Sequence, residues 1–396
     1  MAPKVVKRPA KKLLVKQHTA MPKVMQKPFA VVRSSLRSQF LVCRPDFYHL
    51  SWLASRTARK ADGSVLALPS AILKKHVLPF LGLHFRQPPI STVVGVGNRQ
   101  AYVVQADASL RCWGGSITGT TGMTDFPIHM SLPRDTDFPI HMSLPRDLGP
   151  VAQVAVGGVR ACAVLANGDL RWFGAGECEV PTGLGPVIQV AVGQGHVCAL
   201  LAYGRLKCFG NNHDGQCDVP ADLGPVVQVA AGLNQTCAVL SDGGLRCFGN
   251  NNGGMCDVPA DLGPVVQVAA GLGYTCVVLE DGSLRCFGRN DHGQCDVPAD
   301  LGPVAQVAAG WGHTCVVLAS GGLRCFGRND FGQCDVPLDL GPVVQVDAGI
   351  AQTCVVLADG RLRCFGRNHC GLCDVPADLG PVMGTRSQAS ATGHAG

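Results

Sequence analysis

A unit of 39 residues recurs along the chain and constrains its fold more than any other feature. One copy reads LGPVVQVAAGLNQTCAVLSDGGLRCFGNNNGGMCDVPAD and occupies residues 223–261. Further copies begin at Leu262, Leu301 and Leu340, and a truncated copy begins at Leu379. Repeats of this length are supersecondary units that bury their apolar faces only against their neighbours. The chain is therefore predicted to form an array of such units.

Divergent copies precede this regular run. Units that start at Leu148 and Leu184 follow the same pattern, the first of them shortened to 36 residues. The segment from Thr92 to Gly114 preserves the pattern without the LGPV lead-in. The array thus has seven units, which begin near residues 92, 148, 184, 223, 262, 301 and 340.

Each unit contains short strand signals separated by turn signals. In the 223–261 copy, the β-branched run at 226–229 and the segments 236–240 and 245–248 favour strands. Asp242-Gly243 favours a hairpin turn because both residues tolerate positive φ. Units of about 40 residues with three or four strands are typical of propeller blades. We predict an all-β, seven-bladed propeller over residues 90–382, a basic arm of low order at 1–66, one short helix at 67–83 and a disordered tail at 383–396.

The C-terminal truncated copy predicts how the ring closes. The first unit lacks a lead-in, whereas the chain ends its repeats with a surplus Leu379-Gly380-Pro381-Val382. We expect this tail to supply the missing strand edge of the first blade, which would leave no unpaired ladder there. Between the first two units, TDFPIHMSLPRD occurs twice in tandem at 124–135 and 136–147, and we interpret it as a surface loop.

Charge divides the chain into two parts. Residues 1–90 contain 17 Lys and Arg against two Asp, whereas residues 91–396 contain 17 against 26 acidic residues. The cluster Lys7, Arg8, Lys11 and Lys12 is similar to a nuclear-import signal, but a nucleic-acid-binding arm or an organelle transit peptide would have the same composition. Neither a membrane span nor the apolar core of a secretory signal is recognisable, which favours an intracellular protein, nuclear or cytoplasmic.

The string AAG-x-x-x-TC-x-VL-x-DG-x-LRCFG-x-N-x-x-GQ resembles the repeat of the regulator of chromosome condensation family. Residues 310–314 and 326–333 are its nearest matches, and the resemblance extends over roughly 90–382. It implies a seven-bladed propeller, and the family includes a nucleotide exchange factor for the Ran GTPase that also binds chromatin. Similar repeats occur in HECT-type ubiquitin ligases, but little sequence follows the last blade, so we expect no HECT domain and no ligase chemistry.

Eighteen of the 20 cysteines fall on three positions of the repeat. Two of these positions lie on neighbouring hairpin strands, so disulfides within blades are conceivable in an oxidising compartment. However, Tyr102 replaces one member in the first blade and Trp172 replaces the other in the second. Because an obligatory pair should lose both members together, we favour reduced, buried thiols. His369 with Cys370 and Cys373 lacks a second ligand pair, so we predict no metal and no cofactor.

Two sets of residues are candidates for binding. One repeat position is basic in every unit, and an acidic position recurs near it, which favours ion pairing between blades over an anion-binding ring. The basic residues are Arg111, Arg171, Lys207, Arg246, Arg285, Arg324 and Arg363, and the acidic ones are Glu179, Asp218, Asp257, Asp296, Asp335 and Asp374. The three residues after the inner glycine vary most between units and include residue types that are enriched in binding hot spots. From them we predict partner contacts by Arg99, Arg160, His196, Asn234, Gln235, Tyr274, Trp311, His313 and Gln352.

No catalytic constellation is recognisable, because P-loop, GxSxG and HExxH patterns are missing. We therefore predict a non-catalytic, monomeric scaffold whose propeller loops bind a protein partner. One alternative is a chromatin-associated exchange factor for a Ran-like small GTPase, with residues 1–60 contacting nucleic acid. A second is a substrate adaptor of a ubiquitin ligase complex, since residues 68–81 resemble the opening of an F-box.

Overall fold

The computed structural model describes residues 58–59, 65–66, 92–115, 144–145, 147–174 and 179–383. Within the predicted arm, β1 (Ala58–Arg59) and β2 (Val65–Leu66) form one antiparallel pair. The predicted helix at 67–83, the tail at 384–396 and most of the tandem duplication lie outside the described residues.

Seven three-stranded antiparallel sheets account for the seven sequence units, which confirms the predicted propeller. In each sheet the strands follow chain order, with the middle strand paired to both others. The strands are β3 (Val94–Val96), β4 (Gln100–Val104), β5 (Leu110–Gly114), β6 (Val151–Gly157), β7 (Arg160–Leu165), β8 (Leu170–Gly174), β9 (Val187–Val192), β10 (His196–Leu201), β11 (Leu206–Gly210), β12 (Val226–Ala231), β13 (Gln235–Leu240), β14 (Leu245–Gly249), β15 (Val265–Ala270), β16 (Tyr274–Leu279), β17 (Leu284–Gly288), β18 (Val304–Ala309), β19 (His313–Leu318), β20 (Leu323–Gly327), β21 (Val343–Ala348), β22 (Gln352–Leu357) and β23 (Leu362–Gly366). Among the described residues, the one helical segment is a 3-10 turn at Ala202–Gly204.

The hairpin turn of each blade follows from its residues. In blade four, β13 and β14 are joined by a turn in which Gly243 has a φ of 91°, a conformation that side chains disfavour. The Asp242 carboxylate accepts a hydrogen bond from the Gly244 N–H at 2.8 Å, which orients the turn. The hairpin predicted from Asp242-Gly243 is therefore present in the structure.

The apolar core lies between neighbouring blades. In one cluster, Cys237, Val239 and Leu245 of blade four are buried against Val265 and Val268 of blade five. Equivalent clusters join the other blades. Each blade therefore buries its apolar face only because the next blade is present, as expected for a repeat array.

A belt of glutamines connects the first strands around the ring. Gln267 shows the arrangement: its Oε1 accepts the Val307 N–H at 2.9 Å, and its Nε2 donates to the Val307 carbonyl at 3.4 Å. The belt consists of Gln153, Gln189, Gln228, Gln267, Gln306 and Gln345, all buried. Their amides satisfy backbone groups that face the neighbouring blade, where no strand pairs with them.

The C-terminal tail closes the ring as predicted. Val382 forms a bridge with Gln105, and the Ala106 N–H donates to the Pro381 carbonyl at 2.8 Å. The same bond occurs inside blade four, from Ser241 to Pro225 at 2.9 Å. The tail thus replaces the lead-in that the first unit lacks.

The seam between blades seven and one also has a carboxylate of its own. Asp347 stands where units two to six have alanine and unit one has Gly95, and its Oδ2 accepts the Val96 N–H at 2.7 Å. Burial raises the pKa of Asp347 to about 6, against the lowering effect of hydrogen bonds from the Val96 and Ala348 N–H groups.

Candidate partner-binding face

Two rows of loops emerge at the same end of the blades. The inner loop of each blade joins the first and second strands, and the outer loop follows the third strand. Because the first and third strands are both antiparallel to the middle one, their C-terminal ends lie at the same end of the blade. The Asn234 side-chain amide in the inner loop of blade four donates to Asp214 in the outer loop of blade three at 2.8 Å. We call this surface the loop face.

Five of the predicted contact residues do not reach the loop face. His196, Gln235, Tyr274, His313 and Gln352 are at most 1% exposed. Each begins the second strand of its blade, so its side chain points into the neighbouring blade instead of solvent. The prediction that these five contact a partner is therefore wrong.

These buried side chains join the blades instead. The Tyr274 hydroxyl donates to the His313 carbonyl at 2.6 Å, and His196 Nε2 lies 2.9 Å from Thr236 Oγ1. Burial lowers the pKa of His196 and of His313 to about 4, with a smaller contribution from Arg160 at His196. Both imidazoles are consequently neutral at pH 7.

The other four predicted residues are partly exposed: Arg99, Arg160, Asn234 and Trp311. Arg160 Nη1 donates to the Gln194 carbonyl of the next blade. Trp311 lies under the guanidinium carbon of Arg328, which is 5.9 Å from the ring centroid. These side chains are available for contact and are held in place by their neighbours.

The structure adds outer-loop residues that the prediction did not include. Phe331 is 39% exposed, and the guanidinium carbon of Arg367 lies 4.7 Å from its ring centroid. The sequence position of Phe331 varies between units, with Asp214, His292 and Cys370 at the equivalent site. That variation was the signal that could have identified the outer loops.

The basic ring pairs with acids, but not with the acids that were predicted. Arg246 Nη2 lies 3.0 Å from Asp222, which directly precedes the lead-in of the same blade. The same contact joins Arg111 to Asp378, Arg285 to Asp261, Arg324 to Asp300 and Arg363 to Asp339. Among the described residues, Arg171 and Lys207 form no ion pair, and Lys207 has Gly183 at the equivalent site. These pairs are exposed, so each contributes about 0–1 kcal/mol of stability.

The predicted acidic partners order the outer loops instead. Asp218 accepts a hydrogen bond from the Asn212 side chain at 2.7 Å. The same bond recurs at Asp257, Asp296, Asp335 and Asp374, whereas Glu179 is exposed. The tight loop brings an Asn and an Asp of one blade together and keeps the Asp away from the arginine.

The cysteine prediction is wrong for blades three to seven. Disulfides join Cys198 to Cys208, Cys237 to Cys247, Cys276 to Cys286, Cys315 to Cys325 and Cys354 to Cys364. Strand register explains the pairing, because the two cysteines lie directly opposite each other on adjacent strands. In blades one and two, Tyr102 faces Cys112 and Trp172 faces Cys162, so neither blade has a cysteine on both strands to form this disulfide.

The cysteines at the third repeat position lie in the outer loops, and those in the described part of the chain are not in disulfides: Cys217, Cys256, Cys295, Cys334 and Cys373. Burial raises the pKa of Cys256, Cys295, Cys334 and Cys373 to about 11, and a neighbouring aspartate adds to each increase. Cys256 Sγ donates to the Asn250 carbonyl at 3.3 Å. Such protonated thiols are poor nucleophiles, which indicates a structural role.

In the part of the chain that the structure describes, no helix has the length and apolar character required to cross a membrane.

Known structures share this fold. The ectodomain of the Physcomitrella patens receptor kinase CR4 superposes with a TM-score of 0.55 at 18% identity, covering 69% of this chain and 73% of that one. The CRINKLY WD40 ectodomain of the Arabidopsis thaliana receptor kinase ACR4 gives a TM-score of 0.54 at 17% identity, with coverages of 69% and 95%. Prp20p from Saccharomyces cerevisiae gives 0.50 at 19% identity, with coverages of 65% and 80%.

No curated protein sequence matches the chain. A family model does match: the regulator of chromosome condensation (RCC1) repeat aligns with residues 187–216, 226–254, 265–294, 304–333 and 343–372. These segments are the five most regular blades, and the matches agree with the blade boundaries of the structure. Blades three to seven of this seven-bladed propeller are therefore regulator of chromosome condensation (RCC1) repeats.

Proposed function

We propose that the protein is a non-catalytic interaction scaffold and that its loop face binds a protein partner. The observation that carries the proposal is that the strand sequences are constant between blades whereas the loop sequences vary. The third strand reads LRCFG in each of blades four to seven, whereas the inner-loop tips differ in every blade. A surface that varies on a constant frame is typical of binding sites on rigid scaffolds.

The inner-loop tips also have the composition of an interface. Leu233, Leu272, Trp311 and Ile350 form an arc of partly exposed apolar side chains over blades four to seven. Their backbones are fixed, since the Leu272 N–H donates to the Gly310 carbonyl at 3.3 Å and the Trp311 N–H to the Gly349 carbonyl at 3.2 Å. A partner that docks here would lose little entropy to loop ordering, which favours affinity.

The test is affinity capture from lysate of the source cells, with the full chain as bait and mass spectrometry as the readout. The Leu272→Ser/Trp311→Ala variant should lose a partner that the unmodified chain retains. Leu338→Ser is the matched control, because Leu338 is an exposed apolar residue in the connection before blade seven. A partner that is lost equally from both variants, or from neither, would contradict binding through the loop face.

A second candidate function is nucleotide exchange on a small GTPase. Support comes from the RCC1 repeats and from the fold shared with Prp20p, whose structure was reported together with its binding to Gsp1p and histones. The measurement is release of a fluorescent guanine nucleotide from a Ran-type GTPase, with and without the full chain. A rate that the chain does not change would leave the scaffold as the proposed function. A ubiquitin-ligase adaptor depends on residues 67–83, which lie outside the described residues.

A further inference from the structure

Blade three has a cleft at the end opposite to the loop face. The cleft lies between the chain that leads into β9 and the hairpin turn that joins β10 to β11, and its volume is about 370 Å³. It is lined by residues 181–184, Leu201, Arg205 and residues 207–209. Volumes from about 300 Å³ upwards are typical of sites for small ligands. We call this space the blade-three cleft.

Two cationic side chains of the blade-three cleft have no acidic partner. Arg205 and Lys207 are both exposed, and neither forms an ion pair or a side-chain hydrogen bond within the described part of the chain. Glu179 is an exposed acid shortly before the cleft, and it pairs with neither of them. The cleft therefore contains two positive charges that the described residues do not neutralise.

Lys207 lacks a partner because blade three has no acid before its lead-in. Gly183 occupies that position, and a Cβ there would meet no heavy atom within 4 Å. In blade seven the position is held by Asp339, whose Oδ1 lies 3.4 Å from Nη2 of Arg363, the equivalent of Lys207. An aspartate precedes the lead-in of every other blade: Asp147, Asp222, Asp261, Asp300, Asp339 and Asp378.

Arg205 lacks a partner because the hairpin turn of blade three contains a tyrosine in place of an acid. The same turn in blade seven has Asp359, whose Oδ2 lies 2.7 Å from Nε of Arg361, the equivalent of Arg205. Tyr203 holds this position in blade three with a φ of 67°, which non-glycine residues rarely adopt. Backbone outliers of this kind are concentrated at functional sites.

The backbone that presents the two cations is fixed. The Leu201 N–H donates to the Arg205 carbonyl at 2.7 Å, which closes the hairpin turn. Lys207 lies opposite Ala199 in the ladder of β10 and β11, next to the disulfide of Cys208. A ligand that binds in the cleft would therefore lose little entropy to ordering of the protein.

We propose that the blade-three cleft binds a phosphate monoester. Such a group carries about −1.5 to −2 charges at pH 7, which matches two uncompensated cations, whereas a carboxylate carries a single charge. Arg205 donates hydrogen bonds to two phosphate oxygens, Lys207 donates to the third, and the organic part of the ligand packs against Phe209, which lines the cleft and is half-buried. Because the cleft is opposite to the loop face, this inference goes beyond the proposed function and does not depend on it.

The charge of the surrounding chain disfavours a nucleic acid as the source of the phosphate. Residues 91–396 contain 17 Lys and Arg against 26 Asp and Glu. A long polyanion would extend from the cleft over acidic surface and be repelled. A single phosphate group, on a small ester or on a phosphorylated side chain, remains beside the two cations.

The test is fluorescence anisotropy at physiological salt, with the full chain and a fluorescein-labelled alanine pentapeptide that has phosphoserine at its centre. We expect Arg205→Ala/Lys207→Ala to weaken binding at least tenfold. Arg361→Ala/Arg363→Ala is the matched control, because it removes the same charge from the equivalent positions of blade seven, where both arginines are paired. Its affinity should stay within twofold, and any binding by the basic residues 1–90 is common to both variants.

Gly183→Asp tests the same site without removing a cation. It restores the acid that precedes every other lead-in, and aspartate tolerates the φ of 69° at this position better than most residues. We expect this variant to bind the phosphopeptide at least fivefold more weakly. A pentapeptide with glutamate in place of phosphoserine should bind the unmodified chain at least fivefold more weakly as well.

Equal losses in the two double variants would show general charge attraction and overturn the proposal, as would no loss in Arg205→Ala/Lys207→Ala. Equal affinities for the phosphoserine and glutamate peptides would overturn the assignment to phosphate. Displacement of the labelled peptide by free O-phosphoserine supports a small phosphate ester as the ligand, whereas displacement by the unlabelled phosphopeptide alone supports a phosphorylated protein. If capture still depends on Leu272 and Trp311 while the phosphopeptide ignores Arg205 and Lys207, this inference alone fails.

Discussion

Removal of one disulfide should destabilise the propeller by a magnitude that follows from its loop. Cys276 and Cys286 of blade five are ten residues apart, so their bond closes a loop of about 11 residues. The chain-entropy relation for a loop of that size gives about 2.8 kcal/mol at 25 °C. We expect Cys276→Ala/Cys286→Ala to lower the free energy of unfolding by about 3 kcal/mol in buffer without reductant.

The assay is guanidinium unfolding followed by tryptophan fluorescence, with and without reductant. Cys295→Ala in the same blade is the matched control, since Cys295 is a free thiol and its loss should leave the response to reductant unchanged. Alkylation of the unreduced protein after denaturation adds a direct count, because the five disulfides within the described residues protect ten cysteines.

Alkylation of all 20 cysteines without prior reduction would refute the disulfides and restore the interpretation as buried thiols. An unfolding midpoint of the unmodified chain that reductant did not change would also refute the disulfides. Structural disulfides persist in oxidising compartments and are rare in the cytosol. The count on protein from its source cell therefore also tests the expectation of a nuclear or cytoplasmic location.

Three further substitutions test the contacts between blades. His313 has a pKa of about 4 in the folded protein and about 6.5 in the unfolded chain, so the folded state binds fewer protons between these pH values. The free energy of unfolding therefore falls by about 3 kcal/mol as pH falls from 6.5 to 4. His313→Gln should remove this fall in pH-dependent unfolding curves. Asp347 gives the opposite pH dependence, because folding raises its pKa from 3.8 to about 6. The free energy of unfolding therefore falls by about 2 kcal/mol as pH rises through that range. Asp347→Asn should abolish this fall, and an unchanged pH dependence would refute the assignment. Gln267→Ala breaks both bonds to Val307 and should cost about 2–3 kcal/mol in urea unfolding. The exposed Val266→Ala is its control and should change stability by less than about 0.5 kcal/mol.

Much of the fold was determined by the sequence alone, because strand alternation and turn chemistry are local properties. The 39-residue period, the Asp-Gly hairpins and the surplus Leu379–Val382 predict the blades and the closure of the ring. Each of these features depends on residues within one unit, so comparison of the units with one another is sufficient to recognise it. The family resemblance depends on the same repeated residues.

The interfaces between units were decided by the tertiary structure. His196 and Tyr274 are in variable positions, yet they point into the next blade because strand register, not variability, sets side-chain direction. The arginine of the basic ring pairs with the Asp that precedes its own blade, since the connection folds back toward the third strand.

The seam between blades seven and one shows the limit of sequence reasoning most clearly. Trp113 and Leu372 belong to the first and last units of the array, and nothing in either unit indicates the other. They meet because the last blade packs against the first when the ring closes. Local sequence therefore determined the blades, and closure of the ring decided which side chains come together on their surface.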